Sequence, residues 1–269
     1  MSQTDSSTLS FQSIVTCIKQ ETTSINEIKL LINQNPDVIH QLSTNGDYTI
    51  LDYAICYRDV AFIQDLINTY RPQLTFPLES KHNPYIFHAY EHEKYNVLDM
   101  LLEIGADPNE KDVDGIPLLN TIATDGNMTA LNILLKYDKT NINITDDDSC
   151  NAAIHAARHN KFKVLDSLIR QGIDINHRDA SGATPLMHAA FMRSYDCLDM
   201  LVKNDVKLNE KDNDGLTAIN YAELGMKNEK TPNKACLDYL TEHGAQKYIE
   251  YDDVKQHTTI VEAHHLNYC

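Results

Sequence analysis

The chain has 269 residues, with 23 Lys and Arg against 39 Asp and Glu, and a formal net charge of −16. That excess repels phosphate backbones and anionic lipid, so no nucleic-acid or membrane-surface partner is expected. Hydrophobic residues make up 42% of an ordered composition, no apolar run approaches the ~18 residues of a membrane span, and the six scattered cysteines form no C-x-x-C pair, which fits free thiols in a reducing, cytoplasmic setting.

Taken in order, residues 1–9 read as a disordered, polar N-terminus without the basic and apolar regions of a secretory signal. Leu9 to Ile18 and Ile25 to Gln34 read as two helices, the second with a stripe of Ile28, Leu31 and Ile32, and Asn35-Pro36 ends them. This pair, about 10–42, has a polar outer face and reads as a cap. The next units read as 43–78, 79–111, 112–145 and 146–178. In the last of these, Asn160 sits at a turn position that tolerates a left-handed backbone. In 179–211, Thr184 suits a helix cap and Pro185 the first helical position, where its missing N–H costs nothing. The seventh, 212–247, carries extra residues over 225–234, read as a polar loop between its helices, and 248–269 forms a tail.

These units repeat. A turn position recurs at Asp47, His82, Gly115, Ser149, Gly182 and Gly215, at intervals of 35, 33, 34, 33 and 33 residues. An apolar pair recurs as Leu66-Ile67, Leu101-Leu102, Leu134-Leu135, Leu168-Ile169 and Leu201-Val202. One such unit cannot bury its apolar face alone, so copies must stack. Thr184-Pro185-Leu186 with Ala189-Ala190, and Leu101-Leu102 followed by Gly105-Ala106-Asp107-Pro108-Asn109, resemble the two signature runs of the ankyrin repeat family. The resemblance implies an all-α solenoid of about seven helix–turn–helix repeats joined by β-turn or hairpin loops. It further implies a non-enzymatic protein-binding module, without cofactor or metal.

In that family a partner lies in a concave groove lined by turn tips and first-helix ends. Carried over by position, the tips supply Asp114, Ile116, Asp147, Asp148 and Asp214. The helix ends supply Arg158, His159, Phe191, Met192 and Leu224. Asp112, Asp146, Asp179 and Asp212 join the tips in an acidic rim, and Phe191 and Met192 place large apolar groups beside it. A basic or mixed basic-apolar protein segment is therefore the expected partner of a monomeric chain.

Other chemistry is weaker. His88-Ala89-Tyr90-Glu91-His92 matches the H-x-x-E-H pattern of a metal-dependent hydrolase, but His88 falls at the repeat position that His155 and His188 also occupy. His155 and His188, one repeat apart, read as a stacked, hydrogen-bonded pair. Glu110 to Gly115 and Glu210 to Gly215 open like calcium loops, yet Thr121 and Tyr221 stand where such a loop needs Glu. No Gly-rich phosphate loop or nucleophile elbow appears. Richness in Asn, Ile, Lys and Asp with no Trp fits an AT-rich genome, which ranks an effector delivered into a host cell by an intracellular bacterium slightly ahead of a eukaryotic-type cytosolic adaptor.

Overall fold

The computed structural model describes residues 4–20, 22–43, 48–70, 83–225 and 234–247, with side chains from residue 11 onward except at His40. The described residues hold fourteen α-helices, a 3-10 turn at Pro36–His40 and no strand. The helices fall into consecutive pairs. These are α1 (Thr4–Lys19) with α2 (Ile25–Gln34), α3 (Ile50–Tyr57) with α4 (Val60–Tyr70), and α5 (Tyr85–Glu91) with α6 (Tyr95–Glu103). They continue as α7 (Leu118–Asp125) with α8 (Met128–Leu134) and α9 (Ala152–Arg158) with α10 (Phe162–Arg170). The last two pairs are α11 (Pro185–Met192) with α12 (Tyr195–Lys203), and α13 (Ala218–Leu224) with α14 (Lys234–Glu242). Among the described residues no helix is long and apolar enough to cross a membrane.

The chain divides into two compact units, Met1–Leu118 with Asn132–Thr140, and Leu119–Leu131 with Asn141–Cys269. In the first, α3 packs between α1 and α5, and α4 against α6. Ile63, Leu66, Leu101 and Leu134 are fully buried there. In the second, α9, α11 and α13 pack side by side, and α10, α12 and α14 form a second row. Ala152, Ala153, Ala156 and Ala157 of α9, Ala189 and Ala190 of α11, and Ala222 of α13 are all buried to completion. Such short side chains let neighbouring first helices approach closely, while Leu168, Leu201 and Leu240 fill the second row.

The helix starts follow local chemistry. The Thr184 side chain accepts from the Met187 N–H, with Pro185 in the first turn, as the sequence indicates. Ser24 with Glu27 and Thr49 with Asp52 form capping boxes that satisfy otherwise orphaned backbone donors. Helix α1 begins at Thr4, inside the nine residues that the sequence reading leaves disordered. Its first turn, Asp5-Ser6-Ser7, is polar and leaves no mark in an apolar periodicity, although Asp5 suits the positive end of a helix. The turn positions at Asp47 and His82, most of the 225–234 insertion and the 248–269 tail lie outside the described residues.

Each described tip is a short hairpin. Asp112, Asp146, Asp179 and Asp212 donate N–H to the carbonyls of Ile116, Cys150, Ala183 and Leu216, and accept from the N–H of Gly115, Ser149, Gly182 and Gly215. The chain turns at the last four with φ of 78°, 63°, 81° and 82°. Ser149 is the only one of these carrying a side chain, and a left-handed backbone costs it about 1 kcal/mol. Within the second unit the tips are stitched to one another, Ala180 N–H to Asp148 carbonyl at 3.0 Å and Asn213 N–H to Ser181 carbonyl at 3.0 Å.

Two stability measurements follow. Leu134→Ala and Leu168→Ala each remove a fully buried second-helix side chain, and each should lower the unfolding free energy in urea by about 2–5 kcal/mol. Ser149→Gly should do the reverse, raising it by about 0.5–1 kcal/mol, because the backbone is already in the geometry glycine prefers.

Candidate functional site

The tips are built around one carboxylate each. One oxygen of Asp146 accepts from the N–H groups of Asp148 (3.0 Å) and Cys150 (2.8 Å). Asp179 accepts from Ser181 and Ala183, both at 2.9 Å, and Asp212 from Asp214 (2.9 Å) and Leu216 (2.8 Å). Asp112 does the same with Asp114 (3.0 Å) and Ile116 (2.8 Å). The other oxygen reaches nine residues down the chain into the first helix. His155 Nε2 donates to Asp146 at 2.7 Å, His188 Nε2 to Asp179 at 2.7 Å, and the Tyr221 hydroxyl to Asp212 at 2.8 Å.

Two sequence expectations are corrected here. The acidic rim loses members: Asp146 and Asp212 are buried, and the Asp179 side chain is 8% exposed, because these carboxylates close the tips from inside. His155 and His188 also do not give their Nε2 protons to a stacked imidazole; each gives it to the Asp of its own tip. The signal for this pairing in the sequence is an Asp followed nine residues later by His or Tyr, which recurs in three successive repeats.

Partner chemistry decides how each carboxyl titrates. Burial drives Asp146, Asp179 and Asp212 up. At Asp179 the His188 hydrogen bond and charge, with Ser181 and Ala183, outweigh burial and hold the carboxyl at about 2. Burial is likewise outweighed at Asp146, which is held low by His155 and by the Cys150 and Asp148 N–H groups. At Asp212 burial prevails, since Tyr221 offers a neutral hydroxyl and Asp214 adds negative charge, so this carboxyl sits above its ordinary value. Burial pulls the His188 imidazole below its ordinary value, against the pull of Asp179.

The residues expected to touch a partner divide between the two units. In the first, Asp114 is exposed and Ile116 half-buried. In the second, Asp147 is exposed, Asp148 and Asp214 are half-buried, and His159 is exposed beside a half-buried Arg158. Burial, then the neighbouring Arg158 charge, lowers the His159 imidazole below its ordinary value. Met192 is 44% exposed, while Phe191 is half-buried with its ring edge-on to Tyr221 at 6.3 Å. Leu224 is the correction: it is 4% exposed and offers no contact surface. The end of α13 abuts α11 so closely that a Cβ on Gly225 would stand 2.2 Å from the Phe191 carbonyl oxygen, and Arg193 reaches across to the Gly225 carbonyl at 3.1 Å.

The H-x-x-E-H histidines are directed to different neighbours. Helix α5 ends at Glu91, leaving His92 as its cap. His88 lies 3.5 Å from Asp52 and 3.8 Å from Glu91, with its ring 5.4 Å from that of Tyr48. His92 Nε2 instead lies 3.1 Å from the Cys56 sulfur. Burial pushes the Cys56 thiol up to about 11, so the thiol is protonated at neutral pH.

Stacked helix pairs with hairpin tips define a helical repeat protein. A family model described as ankyrin repeats (3 copies) matches residues 86–179, and one described as ankyrin repeats (many copies) matches residues 168–222. The chain belongs to the ankyrin repeat family, and such repeats mark a protein–protein interaction module. It is 32% identical over 117 residues to alpha-latroinsectotoxin-Lt1a of Latrodectus tredecimguttatus, a match covering 44% of this chain and 8% of that protein.

The tip carboxylates set an acid limit. Asp179 is depressed to about 2 in the folded chain against an ordinary value near 3.8, so its contribution is present above that value and lost as pH falls from about 4 to 2. The depressed Asp146 carboxyl acts with the same sign. Urea unfolding should show stability dropping through this window. Asp179→Asn should lower stability at pH 7 and flatten the drop, by on the order of 2 kcal/mol across the window.

Proposed function

We propose that the second unit binds a basic or mixed basic-apolar segment of a partner protein across its tips and first-helix ends. The observation that carries this is Met192, 44% exposed at the end of α11 next to a half-buried Phe191, in a unit whose tips expose Asp147 and, in part, Asp148 and Asp214. Water is a poor neighbour for such a side chain, and an apolar group set among charges is the usual make-up of a binding anchor. Asp147, Asp148 and Asp214 supply the charge that steers a cationic segment, Arg158 and His159 flank the anchor, and Asp114 and Ile116 are tip residues of the same kind on the first unit, taken by itself. Leu224 is left out because it is buried.

We take the module to be a non-enzymatic monomer. The reading of a hydrolase at His88, Glu91 and His92 gains no support from imidazoles engaged with Asp52 and Cys56. The setting we propose is that of a bacterial effector acting in a host cell. Its support is compositional, and a reporter fusion carried into host cells would test it.

The binding reading is tested by capturing a partner from host lysate and measuring its kinetics against variants. Met192→Ala should mainly speed dissociation, at a cost of about 2 kcal/mol if the anchor is desolvated in the complex. Asp147→Asn with Asp148→Asn should instead slow association and flatten its salt dependence. If both variants fold and bind with wild-type rates at low salt, the surface is assigned wrongly.

A further inference from the structure

The tip of the fifth repeat differs chemically from its neighbours. Asp146, Cys150 and His155 each bring one ligand atom within 4.8 Å of the others, and all three residues are buried. The carboxylate–histidine pair occurs again at Asp179 and His188, but there the fourth residue on is Ala183. At the two other tips it is Ile116 and Leu216. Cys150 therefore adds a soft donor to a device that has none at the other described tips.

We propose that Asp146, Cys150 and His155 bind one zinc-class divalent cation, leaving a fourth coordination position open. Thiolate, imidazole and carboxylate are the donor set that borderline-soft, tetrahedral cations take from proteins. Supporting contacts are already in place. One oxygen of Asp146 is held by the Cys150 and Asp148 N–H groups, which leaves the other to face the cation. The Thr124 hydroxyl lies 3.1 Å from His155 Nδ1 and fixes the ring from its far side, as an outer partner does for a ligating imidazole.

The required rearrangement is small and its protons balance. His155 Nε2 and Asp146 Oδ2 now stand 2.7 Å apart, whereas two ligands with bonds of about 2 Å on a tetrahedral ion stand about 3.3 Å apart. The pair opens by roughly half an ångström. The Nε2 proton moves to Nδ1, where the Thr124 oxygen accepts it, and the freed Nε2 lone pair binds the cation. Burial pushes the Cys150 thiol up to about 12, so its proton stays on until the cation displaces it, as a coordinating metal does outright. One proton is released to solvent for each cation bound. Arg158 opposes binding, with its Nη2 3.9 Å from the Cys150 sulfur, and must swing outward from its half-buried position. The outcome is a clamp between the tip and α9 that makes the local charge one unit more positive, beside Asp147 and Asp148.

The test uses the full chain, stripped with a chelator and titrated with cobalt(II). One equivalent should bind with a thiolate-to-cobalt charge-transfer band, and zinc should then displace it. The band should vanish in Cys150→Ala and in His155→Gln. It should persist in Cys197→Ala, Cys56→Ala and Cys269→Ala, which remove other thiols. Circular dichroism confirms that each variant is folded, and Cys150→Ser substitutes for Cys150→Ala if that variant is not. No band on the native chain at one equivalent, or a band that survives loss of the Cys150 thiol, overturns the assignment.

Discussion

The tips depend on a carboxylate that is taken out of water and paid back by four groups at most. In three successive repeats an Asp accepts two backbone N–H groups of its own hairpin and a proton from a side chain nine residues on. The two backbone bonds fix the hairpin, and the third fixes the hairpin to the first helix. Without them an ionised carboxyl at such burial would cost several kcal/mol. The hairpin would then lose its tie to its own first helix and be left with backbone bonds between tips and side-chain contacts such as His177 Nε2 with the Ser149 carbonyl and Asn213 Nδ2 with the Ala180 carbonyl.

The third partner is where the repeats diverge. A histidine brings partial positive character and holds Asp179 at about 2, whereas a tyrosine hydroxyl leaves burial in command at Asp212. Equivalent positions of one fold thus differ in electrostatic behaviour through the ninth-residue partner, together with the Ser181 hydroxyl at Asp179 and the Asp214 charge at Asp212. Swapping that partner tunes a tip without altering its backbone, which keeps the same two N–H bonds at Asp112, Asp146, Asp179 and Asp212. Cys150 is a second such substitution, made on the other wall of the same small space.

Much of the fold was legible because repetition multiplies weak signals. Gly115, Gly182 and Gly215 mark left-handed turns by composition, and Ser149 was placed among them by interval alone, with φ of 63°. Asn160 adopts φ of 52° at the turn where its tolerance of that geometry was noted. The site was less legible. Leu224 sits at a helix end by count, but its exposure is set by how closely α13 abuts α11, a distance that no spacing in the sequence reports. Phe191 is half covered for a related reason, since Tyr221 stands edge-on to it from the next repeat. His88 and His92 obey helical spacing on paper, yet α5 stops at Glu91 and the second imidazole leaves the helix face.

Net charge is also a poor guide to what a partner meets. The formal −16 counts every carboxylate alike, but Asp146, Asp179 and Asp212 spend theirs inward on hydrogen bonds. Their charge is largely compensated at short range. What faces water at the tips is a smaller set, with Asp114 and Asp147 exposed and Asp112, Asp148 and Asp214 exposed in part. Asp147, Asp148 and Asp214 stand one or two residues from the inward carboxylates, so the hairpin that hides one charge displays the next. The turn allows an outward Asp beside the inward one, as after Asp146 and Asp212, but does not require it, since Ala180 and Ser181 follow Asp179. Where both are present, a single short loop is rigid on its inner side and attractive to a cationic segment on its outer side.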